Sequence, residues 1–196
     1  MSQVWQVGDV RITKVVESET TGGGEWILPD AKAEAVREID WLVPDFANEE
    51  GKLKFSIHAL VVEAGGLTIV VDTCVGNDKE RMPYRLWHQL QNDFLGDLGA
   101  AGFDREAVDV VLCTHLHVDH VGWNTMLVDG QWQPTFPNAR YLLARDEFEH
   151  WTADDEAFQQ TVMGDSVLPV FEAGLVDLVE TSHRVCDEVD LVPTLG

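Results

Sequence analysis

The feature that most constrains this chain is the apolar run from Val108 to Thr114, followed at once by His115-Leu116-His117-Val118-Asp119-His120. A short, nearly continuous apolar run reads as a strand buried on both faces, the pattern of a parallel strand inside an α/β sheet. The chain then turns polar, and three of its seven histidines fall within six residues. Titratable side chains at the carboxyl end of such a strand stand where α/β folds hold ligands.

The remaining segments fit around that strand. Val10, Ile12 and Val15 alternate with polar residues and predict an edge hairpin turning at Gly8-Asp9. Ile57–Ala64 and Leu67–Asp72 are two apolar runs joined by Gly65-Gly66, a two-residue hairpin turn. Leu86, Leu90, Phe94, Leu95 and Leu98 recur at helical spacing and predict a helix from Tyr84 to about Ala101. Asp104 is a candidate N-cap. Arg140–Ala144 reads as a short strand, Arg145–Trp151 as the start of a helix, and Leu175–Glu180 and Val189–Pro193 as weaker strands. Strands interleaved with helices predict an α/β layered domain, with residues 1–196 forming a single unit. Residues 18–56 interrupt this order with Gly22-Gly23-Gly24, Pro29, Pro44 and Gly51 around a helix-like stretch from Ala31 to Ile39. They read either as a pocket-lining insertion or as a surface excursion anchored by Trp26 and Trp41.

Composition narrows the function. Thirteen basic residues against 35 acidic ones give a net charge of −22, which repels nucleic acid and anionic membrane surfaces. A small-molecule substrate is the expected partner, and a homo-oligomer stays open. The opening residues carry no basic region followed by an apolar stretch, and no apolar run approaches the length of a membrane span. Cys74, Cys113 and Cys186 cannot all pair with one another, and no two sit at metal-ligand spacing. They read as reduced thiols of a cytoplasmic protein.

The histidine run carries the chemistry. Residues two apart at an extended strand end project to the same side, so His115 and His117 can chelate one ion. If the chain then turns helical, Asp119 and His120 can reach a second ion. Imidazole and carboxylate donors suit zinc, and also manganese or iron(II). The alternative is a group of surface histidines on a loop, and the apolar strand leading in argues against it.

These residues also carry a resemblance. His115-Leu116-His117-Val118-Asp119-His120 resembles the HxHxDH signature of the metallo-β-lactamase superfamily. The resemblance extends to the Gly65-Gly66 hairpin leading into Val71-Asp72-Thr73, to Val121-Gly122-Trp123-Asn124, and to Phe136-Pro137-Asn138-Ala139-Arg140-Tyr141. It runs from about residue 57 onward and is most similar to the branch containing acyl-homoserine lactonases and organophosphate hydrolases. It implies a four-layer αββα sandwich with a two-ion site at one edge. His115 and His117 would bind the first ion, Asp119 and His120 the second, with Zn2+ expected and Mn2+ or Fe2+ as alternatives. It further implies a hydrolase in which a metal-activated hydroxide attacks an ester, lactone or phosphoester. Asp119 would orient that water or shuttle its proton, and Asp72 would support a ligand histidine. Asp72 also reads as a turn aspartate that ends a strand.

The family completes its two sites with a third histidine, a bridging aspartate and a further histidine, all C-terminal to the motif. The first of these belongs to a Pro-x-Pro-Gly-His stretch. At that place this sequence reads Leu191-Val192-Pro193-Thr194-Leu195-Gly196, with Leu195 where the family has proline. His150 and His183 lie in other contexts and read as surface residues. The expectation is therefore a sandwich incomplete at its C-terminus. The alternatives to a hydrolase are a catalytically silent remnant with a partial metal site, or a binding and oligomerisation module.

Overall fold

The valine-rich stretches become strands, and their pairing fixes the architecture. A computed structural model describes residues 3–194, so Leu195 lies outside the described residues. The chain divides into two compact units, Met1–Glu17 with His58–Gly196, and Ser18–Ile57. The strands are β1 (Val4–Val7), β2 (Val10–Thr21), β3 (Lys54–Ala64), β4 (Leu67–Val71), β5 (Val110–Leu112), β6 (Thr125–Val128), β7 (Gln131–Pro134), β8 (Arg140–Ala144), β9 (Val176–Val179), β10 (His183–Cys186) and β11 (Val189–Leu191). The helices are α1 (Gly24–Ile27), α2 (Ala33–Arg37), α3 (Phe94–Ala100), α4 (Arg145–Ala153), α5 (Ala157–Val162) and α6 (Leu168–Glu172).

Seven strands form one sheet in the order β1-β2-β3-β4-β5-β8-β9, and β6-β7 and β10-β11 are separate hairpins. The first pairs are antiparallel, with Val7 opposite Val10 across the Gly8-Asp9 turn and Ala64 opposite Leu67 across Gly65-Gly66. From β4 onward the pairing is parallel: Val70 faces Val111, and Val111 faces Tyr141. The central strand is shorter than the apolar run that signals it, but all three of its residues are buried. One sheet face carries Val62, Ala64, Ile69, Val110, Leu112, Leu142 and Val179, against which Val185, Cys186, Val189 and Leu191 of the β10-β11 hairpin pack. That hairpin stands where the implied sandwich has its second sheet. By alternation along the strands, Val61, Val70, Val111, Tyr141 and Leu143 point the other way, and all are fully buried. Each such Val or Leu contributes about 1.5–3 kcal/mol on leaving water. Among the described residues no helix is long and apolar enough to cross a membrane.

The unit Ser18–Ile57 runs from the end of β2 to the start of β3, with short helices and loops between. It holds α1, α2, a 3-10 turn at Asp40–Leu42 and one bridge between Ala47 and Leu53. It buries Val36 and Ala47 but exposes Trp26, Ile27, Leu28, Ile39, Trp41 and Phe46. Trp41 meets Phe46 edge to face, with ring centroids 5.8 Å apart. The helix expected over Ala31–Ile39 is confined to Ala33–Arg37.

The expected helix from Tyr84 to Ala101 is a correction: only Phe94–Ala100 is helical. Residues 77–92 instead fold into a loop closed by its own hydrogen bonds. Asp78 N donates to Leu90 O, Gln89 N to Lys79 O, and the Asn77 side chain pairs with the Asn92 main chain in both directions. The loop carries Lys79 and Arg81 into the interior, where both are fully buried. Asp104 does cap, its Oδ1 accepting from Glu106 N of a 3-10 turn.

The acceptor for these buried cations is built by a helix that the sequence reading left out. Residues 157–172 run from α5 through a π-turn at Met163–Val167 into α6. Pro169 explains the π-turn: it has no N–H to donate to Asp165 O, and its ring crowds that carbonyl. The freed Asp165 carbonyl accepts from Lys79 Nζ at 3.0 Å and from the Thr125 hydroxyl. The Asp165 carboxylate takes both arms of the Arg81 guanidinium at 2.7 Å each. Lys79 Nζ also donates to Thr125 Oγ1 and lies 3.7 Å over the Trp132 ring. Burial pushes the Lys79 ammonium down to about 7; Asp165 raises it and Arg81 lowers it, without reversing that direction.

Candidate active site

Parallel strands end on the same side, so β4, β5 and β8 deliver Asp72, Thr114-His115 and α4 to one edge of the sheet. Asp72 leaves β4 with φ +56°, a left-handed conformation that aspartate tolerates better than most residues. Its main-chain N–H still bonds Leu112 O, which keeps it in register with β5.

The Asp72 carboxylate organises the site. It accepts from Thr114 N at 2.8 Å and from the Thr114 hydroxyl at 2.8 and 3.0 Å. It also lies 2.8 Å from His120 Nδ1. These contacts fix tautomers. With its one hydrogen given to Asp72, Thr114 Oγ1 can only accept from His115 Nδ1, 3.1 Å away. His120 likewise carries its hydrogen on Nδ1. Both imidazoles therefore keep Nε2 as the free donor atom, the arrangement in which a carboxylate supports a metal-binding histidine. The rings converge: the His115 and His120 centroids are 3.9 Å apart, and those of His115 and His117 are 4.5 Å apart. Asp119 Oδ2 lies 3.6 Å from His120 Nε2. Burial lowers the His115 pKa, and the neighbouring His120 and His117 push it the same way. Burial acts downward on His120 too, but the Asp72 hydrogen bond and charge outweigh it and the net shift is upward.

A second loop is zipped to the histidine loop. Thr73 N donates to His120 O, Trp123 N to Thr73 O and Gly122 N to Cys74 O, each at 2.7 Å. The approach is so close that a Cβ at Gly122 would fall 1.8 Å from Val75 O. Glu17 on β2 closes the set, its carboxylate accepting from Val75 N, Gly76 N and Trp123 Nε1. Beside His115 opens a cavity of about 630 Å3, lined by Thr114, Glu147, Glu180, Asp190 and Val192 among others. No lysine or arginine lines it.

All five residues singled out from the sequence thus gather at one sheet edge. The donors fit a divalent ion in kind, three imidazoles and a carboxylate, with free Nε2 atoms on His115 and His120. Among the described residues no group of three or more His, Cys, Asp or Glu side chains is placed to hold a metal. His150 is exposed on α4, with its ring against Trp151, and His183 opens β10. The sequence reading missed Glu17 and Glu147, which stand among other acidic residues (Glu19; Asp146 and Glu149) with no local motif to single them out. All three cysteines are unpaired, and burial raises the Cys74 and Cys113 thiols.

Residues 54–194 match the family profile of the metallo-beta-lactamase superfamily. Among solved structures the chain is similar to the hydrolase AbOPH of the beta lactamase superfamily, at 23% identity and TM-score 0.68, over 94% of this chain and 62% of that one. It is similar to a probable metal-dependent hydrolase from Staphylococcus aureus, at 19% and 0.67, over 93% and 63%. A third is AidC, a dizinc quorum-quenching lactonase in complex with a product, at 17% and 0.67, over 94% and 63%. At these identities the likeness is one of fold. The chain spans 62 to 63% of the length of these three structures. No curated protein matches the chain.

Proposed function

Since the chain belongs to the metallo-β-lactamase superfamily, we propose that it acts as a metal-dependent hydrolase of an ester, lactone or phosphoester. The observation that supports this most is the Asp72 carboxylate, which sets His120 directly and His115 through Thr114 so that both offer Nε2 at the same sheet edge. His115 and His117 would hold one ion, zinc by the donor set with manganese or iron(II) as alternatives, and Asp119 and His120 would hold a second. When bound, such ions supply a Lewis acid for the oxygen under attack and acidify water near neutral pH. The side chains do the rest. Asp72 keeps the imidazoles aimed, and Asp119 accepts and passes on the proton of the attacking water. The net charge of −22 and the cavity, whose described lining holds no lysine or arginine, favour an uncharged small molecule over a polyanion. Unpaired cysteines support a cytoplasmic place of action.

A second reading, a silent remnant with a partial site, is favoured by the finding that no three His, Cys, Asp or Glu side chains among the described residues are placed together to hold a metal. Metal content separates the two. A hydrolase binds two ions per chain by native mass spectrometry and turns over a lactone, an aryl ester or a phosphotriester once loaded with zinc. One ion or none, with no turnover of any of the three, would support the remnant instead.

A further inference from the structure

Two imidazoles on a loop chelate well only if the peptides joining them are fixed, because each peptide that can flip swings a ring away. His115 and His117 are joined by the two peptides that flank Leu116, and both are held from outside the loop. The N–H of Leu116 donates to Glu147 Oε2 on α4 at 3.2 Å. The C=O of Leu116 accepts from Gln159 Nε2 on α5 at 3.0 Å. Between them the Leu116 side chain is fully buried, which fixes the third direction.

Each holder is itself held. The same Glu147 oxygen accepts from Trp151 Nε1, one helical turn on, at 2.9 Å. The Trp151 ring meets the His117 ring edge to face with centroids 5.5 Å apart. Gln159 is buried, and its own N–H is capped by Glu156 Oε2 at 2.8 Å. A buried amide aimed at one loop carbonyl, opposite a carboxylate aimed at the adjoining loop N–H, is more than the packing of a strand end requires. We infer that Glu147 and Gln159 are positioning residues for the His115–His117 pair, gripping the two peptides of Leu116 so that both rings stand at chelating separation. This rests on the reading of that pair as donors to one ion, and neither residue is a donor itself.

The test uses the 196-residue chain without metal and then with Co2+ as probe. In the metal-free chain, Glu147→Ala should speed hydrogen exchange at the Leu116 amide about tenfold, the loss expected for one hydrogen bond to a charged acceptor. It should also abolish the NOE between the His115 and His117 rings. Glu147→Gln keeps an oxygen for both N–H groups and should restore most of each signal. Gln159→Leu, which keeps the buried volume, should weaken the ring NOE without moving exchange at Leu116 as far. With Co2+, Glu147→Ala should weaken binding about tenfold and alter the visible absorption band, with rescue by Glu147→Gln, as for other supports of metal ligands. Unchanged exchange and ring NOE in Glu147→Ala would overturn the inference. Faster exchange with an unchanged ring NOE would also overturn it, reducing Glu147 to a stability residue. If the unsubstituted chain binds no Co2+, the two-donor reading falls, and the grip is then decided by the metal-free NOE alone.

Discussion

Two aspartates tie distant segments of this chain together, and they do so for opposite ends. Asp72 ends a strand at the sheet edge and binds an amide, a hydroxyl and an imidazole. Asp165 sits in a π-turn and binds two cations, the guanidinium of Arg81 and the ammonium of Lys79. Both carboxylates are largely shielded, with side-chain exposures of 16% and 9%. Their partners differ more: His120 is 28% exposed, whereas Lys79 and Arg81 show nothing to solvent. A carboxylate whose partners face outward orients groups that something else can use. One whose partners are sealed inside can only hold the fold. Residue type does not separate these roles, but the accessibility of the partner does.

The largest expected effect tests the sealed side. Asp165→Asn leaves two buried cations without a counter-charge and should cost about 3–5 kcal/mol in urea unfolding. A loss near 1 kcal/mol would show that Lys79 and Arg81 find other partners and that the two aspartates are alike. Next comes the histidine loop at the sheet edge that Asp72 supports. His115→Ala or His117→Ala should lower affinity for the first ion about a hundredfold, with the unfolding midpoint almost unmoved; metal content by mass spectrometry reads it. Asp72→Asn keeps an acceptor and tolerates the positive φ, so its stability cost should be only about 1 kcal/mol. Its mark should instead be a changed His120 tautomer, seen in nitrogen chemical shifts. A cost as large as that of Asp165→Asn would erase the contrast.

A further test of the sealed side is a slope with pH. Lys79 titrates near 7 in the folded chain and near 10.5 when unfolded, so between those values the unfolded chain binds more protons. Stability contributed by this site therefore rises from about pH 7 to pH 10.5 and is lost as pH falls back toward 7. Lys79→Met should flatten that rise, as measured by unfolding midpoints across the window. Parallel curves for the two proteins would show that Lys79 is paired well enough to keep an ordinary pKa.

The parts legible in the sequence were those governed by local pattern. The hairpins at Gly8-Asp9 and Gly65-Gly66, the buried strand and the His115–His120 loop each carry their signal within a few residues. The stretch 84–93 misled because Leu86 and Leu90 match helical spacing while Lys79 and Arg81, a few residues earlier, are drawn toward a carboxylate far along the chain. Leu86 is in fact exposed. Glu17 and Glu147 were invisible for the same reason: each acts on main-chain groups of a loop distant in sequence, and nothing in the local spacing tells them from the acidic residues beside them. The β6-β7 hairpin around Asp129-Gly130 did carry a local turn signal that went unused.

The π-turn has a consequence for how this chain can vary in length. A residue removed between Met163 and Val167 would take away the extra residue by which the helix accommodates Pro169, and everything after it would turn by about 100° and retract by about 1.5 Å. The Asp165 carbonyl would then point away from Lys79 and Thr125, and Val170, now fully buried, would rotate off the face it fills. Single-residue deletions should therefore be excluded from this stretch, whose residues other than Gly164 are buried. The turn at Asp129-Gly130, which only joins two short strands, should show the reverse: length changes are absorbed there, and the glycine, at φ +77°, is the harder residue to replace.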